Sequence, residues 1–487
     1  MSPPSPARFR PASTLRQAAG VAATQLTLMW RERRLPWLAL VLLLLAGASV
    51  ATGAARLSLQ AQERQAVAAE EARLWDGQGV IDPHAAAHVG RAIPAPVRPL
   101  AALDPGLTDV LGTSVFIEGH AQNPARHRAM DAGTALSRFD GFSAAWALQV
   151  VAPLLIILAG FATLSGDVAR ETLRQELGTG ASPAVLIIGR LIALASASLL
   201  LVLAMLAATV PAVAGQNAGW MDIAALLAMC AAYGLYLLVF CALTVGVSAL
   251  SSSARTSLVV LLGFWVVATV LVPRMAPAVA ESLDPTPSAP AFRAAVTEEA
   301  ENGVDGHDPA DKRLDALRHA LMARYQVDTV EELPVNFRGV ALEFAERNST
   351  DTYNRHFERI HATYRQQQAT QRAFAVVSPA IALQSWSRAF ARTDFAAHLA
   401  FLQSVEDYRY RLIQALNAEV KQHKAPQGEK HRADIATLTR SVAYTPGQQC
   451  LAGIAAAQAA NVAILLGWVL LALGLVFFSA RRLGTTP

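Results

Sequence analysis

The chain has 487 residues, of which 53% are apolar and only 16% charged, whereas soluble domains carry about 25% charged residues. Its formal net charge of +4 is spread without a basic patch interleaved with aromatics, so the charge gives no support for a nucleic-acid partner, and none is expected. Of three cysteines, Cys230 and Cys241 share one apolar stretch and would stand about 16 Å apart on a helix, so no disulfide framework is expected.

In chain order, Ser2-Pro3-Pro4-Ser5-Pro6 reads as a disordered tail. An amphipathic stretch follows. Leu15, Ala19, Ala22, Leu26 and Met29 share one helical face, and Arg16, Gln17, Thr24 and Thr27 the other. Residues 1–34 are therefore read as a cytoplasmic tail and a helix lying in the membrane interface. Six stretches approach the roughly 20 apolar residues that a membrane-crossing helix needs. They are Leu35 to Gly53, Phe142 to Leu164, Leu186 to Val213, Met221 to Leu250, Ser257 to Val279, and Leu451 to Phe478. The fifth is interrupted near its end by Pro273 and Pro277. A cleaved signal peptide is the rival reading of the first stretch, but too long a segment precedes it.

Arginines set the orientation by the positive-inside rule. Arg31, Arg33 and Arg34 precede the first span, and Arg481 and Arg482 follow the last. Arg170, Arg174 and Arg190 lie in or flank the loop between the second and third spans, and Arg255 lies between the fourth and fifth, all on the same side. Both termini are then cytoplasmic, as are 165–185 and the tail 480–487. The long segments 54–141 and 280–450 lie outside. The expected fold is an all-α membrane protein with six transmembrane helices, an N-terminal interfacial helix and two extracytoplasmic domains, the second a helical bundle.

The loop after the second span reads Ser165-Gly166-Asp167-Val168-Ala169-Arg170-Glu171-Thr172-Leu173-Arg174-Gln175-Glu176-Leu177-Gly178-Thr179-Gly180. It is a short charged helix ended by glycines, with a Ser182-Pro183 start signal for the next helix. Asp167, Glu171, Thr172, Leu173 and Arg174 read acidic-x-x-x-Glu-Thr-Leu-Arg, and here the chain resembles the ABC type-2 permease family. It departs from the common form at Ala169-Arg170 and at Gly178 to Gly180. The order of elements extends the resemblance over most of the chain. Asp82-Pro83-His84 with His88, Asp104-Pro105-Gly106 and Leu333-Pro334-Val335-Asn336 look similar to a subgroup with a large helical insertion before the last span.

The resemblance implies a coupling helix seated on an ATP-binding cassette subunit, with Asp167, Arg170, Glu171, Thr172, Leu173, Arg174, Glu176 and Leu177 as the coupling residues. It also implies a permease half that dimerises with itself or with a sister permease, in a bacterial inner membrane, and moves its cargo outward. ATP and Mg would bind the partner subunit, since this chain has no Gly-x-x-x-x-Gly-Lys-Ser/Thr loop. Leu164-Ser165-Gly166 matches part of an ATP-signature motif, but Asp167-Val168 breaks it. The spans hold no mid-membrane Asp, Glu, Lys or His of the kind ion-coupled carriers use. Gln149 and Asn461 are the conspicuous polar residues there, read as path or helix-packing positions.

The second outer segment is patterned for helices. One starts at Asp308-Pro309, and a longer one near Asn336 carries Phe337, Val340 and Phe344 on one face. Another follows Ser378-Pro379, and Asp394 caps a stretch in which Phe395, Leu402, Val405, Leu412 and Leu416 form a packing stripe. The first outer segment, richer in Pro and Gly, reads as mixed helix and loop. All 11 histidines lie in these two segments. His84 and His88 are spaced to share a helix face, but with no companion cysteine they read as surface or core histidines, not metal ligands. The other close pairs, His120 with His127 and His356 with His361, read the same way. No Gly-x-Ser-x-Gly or His-Glu-x-x-His motif supports an enzyme. The rival to a permease is a membrane-anchored protein whose outer domains bind a ligand or periplasmic partner, or relay motion, without cargo flux.

Overall fold

The computed structural model describes residues 11–108, 110–126, 143–215, 218–301, 312–426, 429–447 and 449–485. Ser2 to Pro6, His127, Phe142 and Asp308-Pro309 lie outside the described residues. The chain is mostly helical, and among the described residues five helices are long and apolar enough to cross a membrane. Large apolar side chains such as Leu43, Leu44, Leu200, Leu203, Leu470 and Leu471 stand exposed on these helices. Helices that are apolar all round are those of a buried or lipid-facing setting.

Helix α1 (Pro11–Arg31) packs Ala18, Ala22 and Met29 inward. Leu15, expected on that face, is exposed. Helix α2 (Arg34–Asp76) does not stop at Gly53, where the sequence ends the first span. Residues 54–76 contain no proline and are rich in Ala, Gln, Glu and Arg, all strong helix formers, so the helix continues to Gly77. A Cβ on Gly53 would lie 2.7 Å from the Ala102 carbonyl oxygen, so that loop presses directly on the helix backbone.

Helix α3 is Pro83–Val89. The expected span at 142–164 is a shorter apolar helix, α4 (Ala144–Gly160). Helix α5 is Asp167–Gly178, α6 Pro183–Ala214, α7 Trp220–Leu250 and α8 Ala254–Leu283. Prolines shape two of these. A wide π turn at Ala147–Val151 precedes Pro153, and another at Val266–Leu271 precedes Pro273. Pro153 cannot supply the amide that an α-helix would send to the Gln149 carbonyl, and the Tyr236 hydroxyl donates to that oxygen at 2.7 Å. The Val272 amide bonds the Val267 carbonyl, and the Ser378 hydroxyl donates to the bypassed Ala268 carbonyl.

In the outer body, so named for the two segments that the sequence reads as outer, α9 is Ala289–Glu301, α10 Lys312–Tyr325, α11 Phe337–Ala373, α12 Pro379–Ala391, α13 Phe395–Gln422 and α14 Ile435–Thr439. Asn336 and Asp394 cap α11 and α13 by accepting from the Arg338 and Ala397 amides. Of the expected stripe, Val405, Leu412 and Leu416 are buried. They pack with Trp75, Ala86, Ala87, Ile93, Val115 and Ile117, so the two outer segments share one core. The first segment is not only helix and loop. It contributes strand β1 (Val80–Ile81), and β2 (Arg91–Pro94) pairs antiparallel with β3 (Ser114–Ile117). Strand β1 pairs with β4 (Ala433–Asp434), near the end of the second segment. The last expected span, 451–479, is broken at Gln458 into α15 (Leu451–Ala457) and α16 (Ala459–Thr485).

Candidate functional site

Helix α5 is an amphipathic helix fastened to one end of the helix bundle. Asp167 opens it after Gly166. Leu173 is 6% exposed and joins the bundle core, and Leu177, one turn later, packs against the same core. Glu176 accepts from the Arg190 guanidinium of α6 at 2.8 Å, where Arg190 is 5% exposed. Arg170 donates to the Ser251 carbonyl, 2.8 Å away, beyond the end of α7. Glu171, Thr172, Arg174 and Gln175 are exposed. The segment therefore divides into an anchoring side and an outward side with both signs of charge. It ends in a Schellman turn, with the Ala181 amide on the Glu176 carbonyl and the Gly180 amide on that of Leu177. Gly180 sits at φ +87°, which only glycine adopts without strain.

Gln149 is buried in a chain of polar groups. Its amide donates to the Tyr233 hydroxyl at 3.0 Å, Tyr233 pairs with the Ser387 hydroxyl at 2.9 Å, and Ser387 donates to the Asp104 carboxylate. Burial pushes the Asp104 carboxyl above its ordinary range, against the pull of Arg388 and of the Ser387 and Gly106 hydrogen bonds. Asn461 is buried too, but its amide bonds the Gln458 side chain at 2.6 Å, across the helix break, and not a neighbouring helix.

The chain of polar groups runs through α12, which the sequence places in the outer domain. Ala380, Ala382, Leu383, Ala389 and Phe390 of α12 are buried in the same core as α7 and α16. Trp386 donates to the Ala228 carbonyl at 3.0 Å, and Trp468 to that of Ala375 at 3.2 Å. Helix α12 is thus a wedge from the outer segment into the bundle. Its signal in the sequence is the run Pro379-Ala380-Ile381-Ala382-Leu383, apolar on every side where a surface helix would carry charge.

Beside the wedge lies a cavity of about 1780 Å³ between α8, α9, α11, α12 and α13. Phe292, Phe357, Tyr364 and Phe395 line it together with Arg293 and Arg388, a surface that suits an amphiphilic ligand. Burial and the nearby His361 push the His398 imidazole in its wall down to about 4.

Residues 290–444, which include α11, α12 and α13, match a family described as a domain of unknown function (DUF3526). No curated protein matches the chain.

Proposed function

We propose that this chain is the membrane-spanning permease subunit of an ATP-driven ABC transporter, powered by a separate ATP-binding subunit that holds ATP and Mg. The observation that carries this reading is α5, where Leu173, Leu177 and the Glu176–Arg190 ion pair anchor the helix and leave Glu171, Arg174 and Gln175 facing outward. A helix fixed rigidly to the ends of spanning helices can pass motion from a docked engine into the bundle. On this reading α4 is a sixth, short span, both termini are cytoplasmic, and the outer body stands outside a bacterial inner membrane. A second copy or a sister permease completes the path, with Gln149 and Asn461 as packing residues near it.

A second reading draws on the wedge α12 and the continuous α2, which tie the outer body to the bundle. They support a mechanotransmitting protein that moves its outer body without cargo flux. Both readings need the ATPase.

The test is an affinity pull-down from detergent-solubilised membranes with an ATPase assay on the recovered complex. Wild type should bring down a stoichiometric ATP-binding protein, and Glu171→Arg should lose it or uncouple its ATPase while inserting normally. Wild-type coupling in Glu171→Arg, or no ATP-binding protein under several mild detergents, would remove the coupling assignment. Cargo flux in reconstituted vesicles then separates the two readings.

A further inference from the structure

We propose that His84, His88 and His120 form a binding site for one late first-row divalent cation of the zinc class on the outer body. His84 and His88 lie on α3, whose start is fixed by Asp82. The Asp82 carboxylate accepts from the His84 amide at 3.1 Å and from the Arg338 guanidinium at 2.8 Å. Ala86 and Ala87 of α3 are buried in the core that also holds the α13 stripe. The two imidazoles, one turn apart, are thereby held on one face.

His120 reaches the same place from the loop after β3. The Gly119 amide donates to the Ala87 carbonyl at 2.9 Å and docks that loop on α3. The His120 amide donates to the Glu346 carboxylate at 2.9 Å, and its carbonyl accepts from the Ser349 hydroxyl at 2.7 Å. These bonds hold His120 at φ +63°, a conformation L-residues rarely adopt. The backbone is thus pinned so that this ring meets the other two.

The Nε2 atoms of His84 and His88 are 3.1 Å apart, and a ligating nitrogen from each of the three rings lies within 4.8 Å of the others. Zn–N bonds of about 2.0–2.1 Å in a tetrahedral site place neighbouring nitrogens roughly 3.3–3.4 Å apart. Glu346 is fully buried and has a carboxylate oxygen 3.3 Å from His120 Nδ1. A carboxylate there accepts the Nδ1 proton and directs Nε2 at the metal, the arrangement found behind metal-binding histidines. Three neutral imidazoles without thiolate suit zinc, copper or nickel better than calcium or magnesium. Three ligands also leave a fourth position for water or an exchanging donor, and the exposure of His88 gives a way in.

The other histidine cluster, Glu419, His423 and His431, has a different geometry. Its rings are stacked 4.4 Å apart at 7°, and both face one Glu419 oxygen. Parallel rings that share one carboxylate oxygen form a hydrogen-bonded cluster, not a convergent set of ligands. Its variant therefore serves as the control.

The test uses the full chain in detergent, stripped with a chelator and titrated with Zn²⁺ against a chromogenic competitor. Wild type should bind one Zn²⁺ per chain. His88→Ala and His120→Asn, the latter keeping a residue tolerant of positive φ, should each weaken binding at least about tenfold. His431→Ala should leave it unchanged. X-ray absorption of the wild-type zinc complex should show imidazole scattering and needs no variant to fold. Absence of binding, equal affinity in His88→Ala and His120→Asn, or a zinc shell of sulfur or oxygen alone would overturn the proposal. None of these outcomes depends on an ATPase partner, so the site and the permease reading fail separately.

Discussion

Arg409 gives the sharpest test of how the outer body is held together. Its side chain is 2% exposed on α13, and Glu346 on α11 is 0% exposed. The guanidinium makes two bonds to Glu406, at 2.8 and 2.7 Å. It also donates to Glu346, to the Thr350 hydroxyl at 2.8 Å and to the Glu118 carbonyl at 3.2 Å. Arg409→Met keeps much of the volume but leaves two carboxylates without their cation. Removing one partner of a buried ion pair costs about 3–5 kcal/mol. Where opening is fast, native-state proteolysis follows the population of the open form. A nonspecific protease should then cut the outer body of Arg409→Met about two to nearly four orders of magnitude faster. Adding Glu346→Gln and Glu406→Gln should recover at least half of that loss, because neutral amides tolerate the site. A rise below about tenfold in Arg409→Met would refute the claim that this cluster is a dry, fully paired network.

Two further outcomes follow from other parts of the molecule. Tyr236→Phe strips the donor from the Gln149 carbonyl at the π turn before Pro153, and should cost about 1–3 kcal/mol. An unchanged melting temperature in detergent would mean that this carbonyl is satisfied some other way. The lowered pKa of His398, about 4 against an ordinary 6.5, means that the folded chain holds it neutral while the unfolded chain takes up a proton. Its stabilising contribution is complete above pH 6.5 and is lost as pH falls toward 4, by about 3 kcal/mol in all. Melting curves of wild type and His398→Asn between pH 7 and pH 4 should diverge in that window, and parallel curves would rule the contribution out.

Features written in local hydropathy were legible in the sequence. The helices Trp220–Leu250 and Pro183–Ala214 fall within a few residues of the stretches read as spans, α11 starts beside Asn336, and Asp394 caps where its side-chain chemistry said it would. What hydropathy cannot show is continuity or long-range pairing. The first span runs on through a polar stretch because helix propensity, not apolarity, sets where α2 ends. The last breaks at Gln458 although both flanks are apolar. For α5, spacing located the helix but not which side faces the bundle, since that depends on Arg190 and Ser251 from other elements. His120 is invisible beside His84 and His88 because the hairpin loop that delivers it is a tertiary contact, while its sequence neighbour is His127.

The unbroken α2 has 43 residues and a length of about 64 Å. Leu42 and Ala46 seat its lower part in the bundle core, and Trp75 seats its tip in the outer core with a 2.9 Å hydrogen bond to Thr439. Midway, at Gly53, the Ala102 carbonyl bears on the helix backbone. Were the helix to pivot at that contact, the arm above it would measure roughly 33 Å. A 10° rock of the helix about this point carries Trp75 through about 6 Å. The lower arm, from Gly53 to Arg34, is about 28 Å, so the same rock would carry the start of the helix through about 5 Å.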